Sequence, residues 1–223
     1  MLYGLIGGVF LLVAIPRVIL AFFIWKFLPE KVSGSQKTGY GKSGKSRISW
    51  IIAAIYIIVL MNALSLLMLG PTYMSAVENL DLGFVDFLFG ISIVMAIPFH
   101  LFGGILADKL KPKRATILLL TVYAIFLFLF VTSQDYLRLI GSMFMLYSLI
   151  QGVIVSLLVL TTRKIPHEIL GSTGGLLLAV GYAGGALGPL IVGYIADITS
   201  FNLAFLFLGI ITIGGIILTA LTK

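Results

Sequence analysis

Gly103-Gly104-Ile105-Leu106-Ala107-Asp108-Lys109-Leu110-Lys111-Pro112-Lys113-Arg114 is a short, glycine-led, basic turn set between two long apolar runs. The rest of the chain can be placed from it. Crossing the hydrocarbon core of a bilayer takes about 20 apolar residues in a helix. The runs on either side, residues 84–107 and 115–132, are of that kind, and so are residues 2–28, 48–73, 137–162, 168–195 and 201–222. No run alternates apolar and polar residues as a barrel strand does, so helices must satisfy the backbone. With 60% hydrophobic and 10% charged residues and a mean hydropathy of +1.17, the chain lies outside the range of soluble domains. An all-α integral membrane protein with seven transmembrane helices is expected.

The charges report topology. A net charge of +7 would point to nucleic acid in a soluble chain, but here the basic residues sit in short loops between apolar runs, so no nucleic-acid partner is expected. Lys26, Lys31, Lys37, Lys42, Lys45 and Arg47 follow the first run. Lys109, Lys111, Lys113 and Arg114 follow the third, Arg163 and Lys164 the fifth, and Lys223 ends the chain. The loops between them hold Arg138 with Glu78, Asp81, Asp86, Asp135 and Asp197. By the positive-inside rule the basic set faces the cytoplasm, leaving the N-terminus outside and the C-terminus inside. The cell membrane is the expected location. Cysteine is absent, so disulfides and thiolate metal sites are excluded; no metal or other cofactor is expected.

The first run has no basic leading region or small-residue cleavage site and carries Arg17, so it reads as a retained helix rather than a signal peptide. It begins at Met1 with no preceding loop, and the expectation is that a segment upstream is missing. Residues 30–47, rich in Gly, Ser and Lys, form a basic linker between this single helix, residues 1–29, and a six-helix bundle, residues 48–223. Inside the bundle, Gly104-x-Leu106-Ala107-Asp108 returns as Gly193-x-Ile195-Ala196-Asp197. The same offset carries the start of the second run onto the start of the fifth. Three helices are an odd number, so the second copy is inverted relative to the first. Two inverted three-helix repeats are a transporter architecture.

Gly39-Tyr40-Gly41-Lys42-Ser43-Gly44-Lys45-Ser46 satisfies a phosphate-loop pattern, but that pattern works only between a strand and a helix of an α/β domain. In a linker between membrane helices it reads as a solvated segment drawn to anionic lipid. Gly41-Lys42-Ser43-Gly44 has the form of an intramembrane serine protease motif but lies outside the membrane, so no enzyme is expected. Arg17 is a charge near the bilayer midplane, where it is costly unless paired or hydrated. Either it snorkels or lies against carbonyls, or its partner is a carboxylate, substrate or helix supplied by something else. The sixth run is rich in glycine, with Gly185 and Gly188 next to Pro189. Glycines let helices approach closely and the proline leaves a carbonyl unpaired, so packing and a hinge are both expected there. Polar side chains inside the runs are Tyr56, Asn62, Ser65, Ser92, His100, Tyr147, Ser148, Gln151 and Tyr182. Each can bond a neighbouring helix; as a group they are candidates for a polar cavity. Tyr147 and Gln151 share a helical face.

Gly104-Ile105-Leu106-Ala107-Asp108-Lys109, with Lys113-Arg114 after it, resembles the signature loop of the major facilitator superfamily, Gly-x-Leu-Ala-Asp-Arg/Lys-x-Gly-Arg-Arg/Lys. Phe27-Leu28-Pro29-Glu30 is similar to the end of that family's sixth helix. Gly185-Ala186-Leu187-Gly188-Pro189, through Gly193 and Asp197, is similar to its eleventh. The resemblance implies helices six to twelve of a twelve-helix transporter, moving a small solute by alternating access between two bundles. It implies a path lined by Asn62, Tyr147, Gln151 and Tyr182, and a conformational latch made of Gly104, Asp108, Lys109 and Arg114 acting on the opposite bundle. That bundle is absent from this sequence, so the implied partner is an N-terminal half or a second bundle, as a hetero- or homodimer. Lys111-Pro112 stands where the loop expects its glycine, so the turn is expected to be made differently. Two other readings remain. A seven-helix receptor or light-driven protein fits the topology, although the last run lacks the lysine that retinal needs. A non-transporting membrane fragment or assembly subunit fits as well.

Overall fold

The computed structural model describes Ile15, Val18, Ile19, Ala21, Phe22, Phe23, Lys26, Phe27 and residues 47–222 apart from 79, 134 and 168; of Val77 and Glu78 the backbone alone is described. The chain divides into two units, residues 1–37 and 38–223. In the first, the described residues are helical, and Phe23 stacks on Phe27 with ring centroids 5.6 Å apart. Arg17 and the linker motif at residues 39–46 lie outside the described residues.

The second unit is all helix among the described residues: α1 (Arg47–Glu78), α2 (Leu82–Leu110), α3 (Pro112–Val131), α4 (Tyr136–Lys164), α5 (Leu170–Gly185), α6 (Leu187–Ile198) and α7 (Phe201–Leu221). They form six spans long and apolar enough to cross a membrane, α5 and α6 making one of them. The protein is an all-α integral membrane protein. The expected single helix at residues 168–195 is instead two, because Pro189 has no N–H to give the Gly185 carbonyl. Ala186 keeps helical dihedrals (φ −62°, ψ −21°), so the span continues past the break.

α1 and α4 are the most buried spans and form the middle of the bundle. α2 and α3 pack on α4; α5, α6 and α7 pack on α1; α3 meets α7. Exchanging α1, α2, α3 for α4, α5–α6, α7 reproduces this set of partners, as two copies of a three-helix unit would.

Between apolar helices in lipid, close packing and interhelical hydrogen bonds replace the hydrophobic drive. A Cβ on Gly103 would lie 2.3 Å from the Gly152 carbonyl oxygen, so only glycine permits the α2–α4 crossing. On the α1 side, a Cβ on Gly188 would lie 2.7 Å from both Met61 O and Ser65 Oγ. Hydroxyls add bonds across the helices. Tyr56 Oη lies 3.1 Å from Thr161 Oγ1, joining α1 to α4. Thr116 Oγ1 lies 2.9 Å from Ser156 Oγ, joining α3 to α4.

The turn between α2 and α3 is a single residue, Lys111, at φ 72° and ψ 138°. The following proline holds ψ in the extended range and opens α3 at its first position, where no N–H is needed. The positive φ is the one a glycine favours. The turn, expected without the family's glycine, is made by Lys111 in a positive-φ conformation, because one residue must redirect the chain between two helices.

Candidate functional site

Apart from Arg138 at the start of α4, the described basic residues of the bundle gather at one end. Arg163, at the last turn of α4, donates to Asp108 Oδ1 at 2.8 Å, with the two side chains 50% and 69% exposed. Lys113 Nζ donates to Ala220 O at 2.6 Å and to Thr222 O at 2.8 Å. These are carbonyls that the end of α7 leaves without helical partners, and a cation there also complements the helix dipole. Arg47 lines a hollow with Leu221 and Thr222. The ends of α2, α4 and α7 and the starts of α1 and α3 thus share one face. The opposite end is aromatic: the Tyr73 ring packs 4.8 Å from Phe130 and 5.1 Å from Phe205, and its hydroxyl donates to Asn202 Oδ1 at 3.0 Å.

Of the signature residues, Asp108 is the one held in an ion pair among the described residues, with Arg163, inside the same bundle. Lys109 and Arg114 are exposed. Gly104 is in ordinary contact, 3.7 Å from Val155 Cγ1 to a Cβ built on it; its neighbour Gly103 is the residue with no room. Arg163 and Gly103 are the ion-pair and packing partners that the loop pattern alone does not name. Adjacent glycines occupy faces about 100° apart on a helix, and nothing in the pattern says which face meets α4.

Tyr147 and Gln151 lie one turn apart on one face of α4. The Tyr147 ring also packs edge-on against Phe89 of α2 at 5.4 Å. Gln151 is half-buried. Asn62 is elsewhere, with both its amide nitrogen and its amide oxygen hydrogen-bonded. Its amide nitrogen donates to Ile58 O at 2.9 Å, and its Oδ1 lies 3.2 Å from Thr212 Oγ1, so it ties α1 to α7. Ser92 donates to Leu88 O at 2.9 Å. Tyr182, on α5, points away from the bundle interior and is 55% exposed. Gly185 and Gly188 are buried against α1 on either side of Ala186, with Pro189 next. Ser65 Oγ, buried beside Gly188, has no hydrogen-bond partner among the described residues. No cluster of metal-ligating side chains occurs among them.

The family model described as Major Facilitator Superfamily matches residues 1–189. This chain belongs to the major facilitator superfamily. The match takes in the signature turn at Asp108, the Tyr147–Gln151 pair and the helix break before Pro189, and it identifies a transporter of the major facilitator type. No curated protein matches the chain.

Proposed function

We propose that this chain is the C-terminal, helix six-to-twelve portion of a major facilitator type secondary transporter that moves a small solute by alternating access. Its partner bundle is an N-terminal half or a second copy. The basic end faces the cytoplasm of the cell membrane, which puts the N-terminus outside and the C-terminus inside. Residues 1–29 act as the helix leading into a cytoplasmic linker, 30–47, and the bundle follows.

The observation that carries this reading is the Asp108–Arg163 pair. An exposed ion pair contributes about 0–1 kcal/mol, so Asp108 can exchange Arg163 for a helix end of the facing bundle at little cost. A latch needs that exchange: a contact specific enough to favour one conformation and weak enough to release. Lys109 and Arg114, without ion-pair partners among the described residues, complete it. Half-buried Gln151 beside Tyr147 supplies a polar group to the path, and Tyr182, exposed on α5, is a second lining residue. The break before Pro189, packed on α1 through Gly185 and Gly188, lets that span flex.

Because the natural chain has no cysteine, a single Gln151→Cys or Tyr182→Cys substitution gives a clean reporter in sealed, oriented vesicles. Alternating access requires that each be modified by a membrane-impermeant thiol reagent from both sides in turn, with the balance shifting when a transported solute is present. A position reached from one side only, whatever the solute, excludes the mechanism.

A further inference from the structure

α2 and α3 are each drawn onto α4, by the Gly103–Gly152 crossing and the Thr116–Ser156 bond, and touch each other far less than either touches α4. The result is a groove of about 530 Å³ between them, lined entirely by apolar side chains, among them Phe102, Leu106, Leu118, Val122 and Met145. Phe102 and Leu118 are 47% and 44% exposed, so the groove opens on the outside of the bundle. Its basic end is defined by helix periodicity. Lys109 lies three residues past Leu106 on the same α2 face, and Arg114 lies four residues before Leu118 on the same α3 face as Val122. Both cations are exposed, as is Lys111 between them, and none makes an ion pair among the described residues. The neighbouring carboxylate, Asp108, is engaged by Arg163. From Lys109 to Phe102 is about 10 Å along the helix, within the half-thickness of a hydrocarbon core.

We propose that this groove holds one acyl chain of an anionic phospholipid whose phosphate sits between Lys109 and Arg114. The apolar walls select the chain and exclude a soluble anion, since a phosphate without an acyl chain would leave the groove unfilled. The two cations select the headgroup charge. A lipid held there also occupies the residues assigned to the latch, so bound lipid hinders latch closure. The site itself does not depend on the transport reading.

The test uses the full chain in vesicles containing a trace of phosphatidylglycerol or phosphatidylcholine that carries a photoactivatable diazirine on its acyl chain, with labelled residues mapped by peptide mass spectrometry. Label from phosphatidylglycerol should concentrate on Phe102, Leu118, Val122 and Met145. In the Lys109→Gln, Arg114→Gln double variant it should fall about 10- to 30-fold, the loss of two charge attractions near the surface. Val122→Trp should remove groove label with both cations intact. Both altered cations are exposed, so this variant folds; an unchanged elution profile and melting temperature check this for both variants. Equal labelling by the two lipids, no fall in the charge variant, or label spread evenly onto outward α7 residues such as Ile210 and Ile217 would each overturn the proposal.

Discussion

Gly103→Ala and Gly104→Ala, two neighbouring substitutions of identical chemistry, should move stability in opposite directions. At Gly103 the new Cβ would meet the Gly152 backbone at 2.3 Å for the carbonyl oxygen and 2.7 Å for Cα, against an ordinary contact of 3.4 Å or more. Those are backbone atoms and cannot turn aside, so α2 and α4 must part by about 1 Å, which forfeits up to roughly half of each dispersion well at the crossing. Overpacking of this kind costs about 1–3 kcal/mol, offset by up to about 1 kcal/mol of helix propensity gained on replacing glycine. At Gly104 the nearest atom is a valine methyl at 3.7 Å, so the propensity gain stands nearly alone. The two variants should differ by about 2 kcal/mol, Gly103→Ala being the less stable. Equilibrium unfolding in mixed detergent micelles, followed by circular dichroism, reads the difference. If Gly103→Ala is as stable as Gly104→Ala, the close α2–α4 crossing is wrong.

Lys111→Gly should stabilise the bundle by about 1–2 kcal/mol, since a left-handed φ costs an L-residue that much and glycine almost nothing; a raised melting temperature checks it. Lys113→Met should leave global unfolding nearly unchanged but speed amide exchange in the last turn of α7, whose carbonyls at Ala220 and Thr222 it holds, as seen by hydrogen–deuterium exchange. Breaking the α1–α7 tie with Asn62→Ala should cost about 0.6–2 kcal/mol, the range for interhelical bonds in membranes. A double-mutant cycle with Thr212→Val should show coupling between the two. Asp108→Asn should change stability by less than about 1 kcal/mol because the pair is exposed, while slowing solute uptake at unchanged membrane insertion. Uptake equal to the wild type would remove Asp108 from the latch.

The spans were legible because lipid leaves the chain one solution per apolar run, and the five unbroken runs of the bundle became helices within a few residues of their apolar limits. The grouping of basic residues at one end was legible for the same reason: loop charge alternates when helices do. Pro189 announced the bend in the sixth run, although not that the helix divides at Ala186. What the sequence withheld was the use of each polar group. Asn62, Tyr56 and Tyr147 look alike as polar residues in apolar helices, yet the first two join helices by hydrogen bonds and the third packs its ring on Phe89. Which applies depends on which helix comes near, and hydropathy is silent on that. Lys111 was hidden differently: a lysine carries no signal of a positive φ, and only the need to redirect the chain in one residue imposes it.

The central claim, that this chain works as one bundle of a two-bundle carrier, is tested most directly by the mass of the native complex extracted from its own membrane in mild detergent. The account predicts a species holding a second bundle of about six helices, as a partner chain, a second copy or an extension of the same polypeptide. A stable, lone 223-residue chain would contradict it.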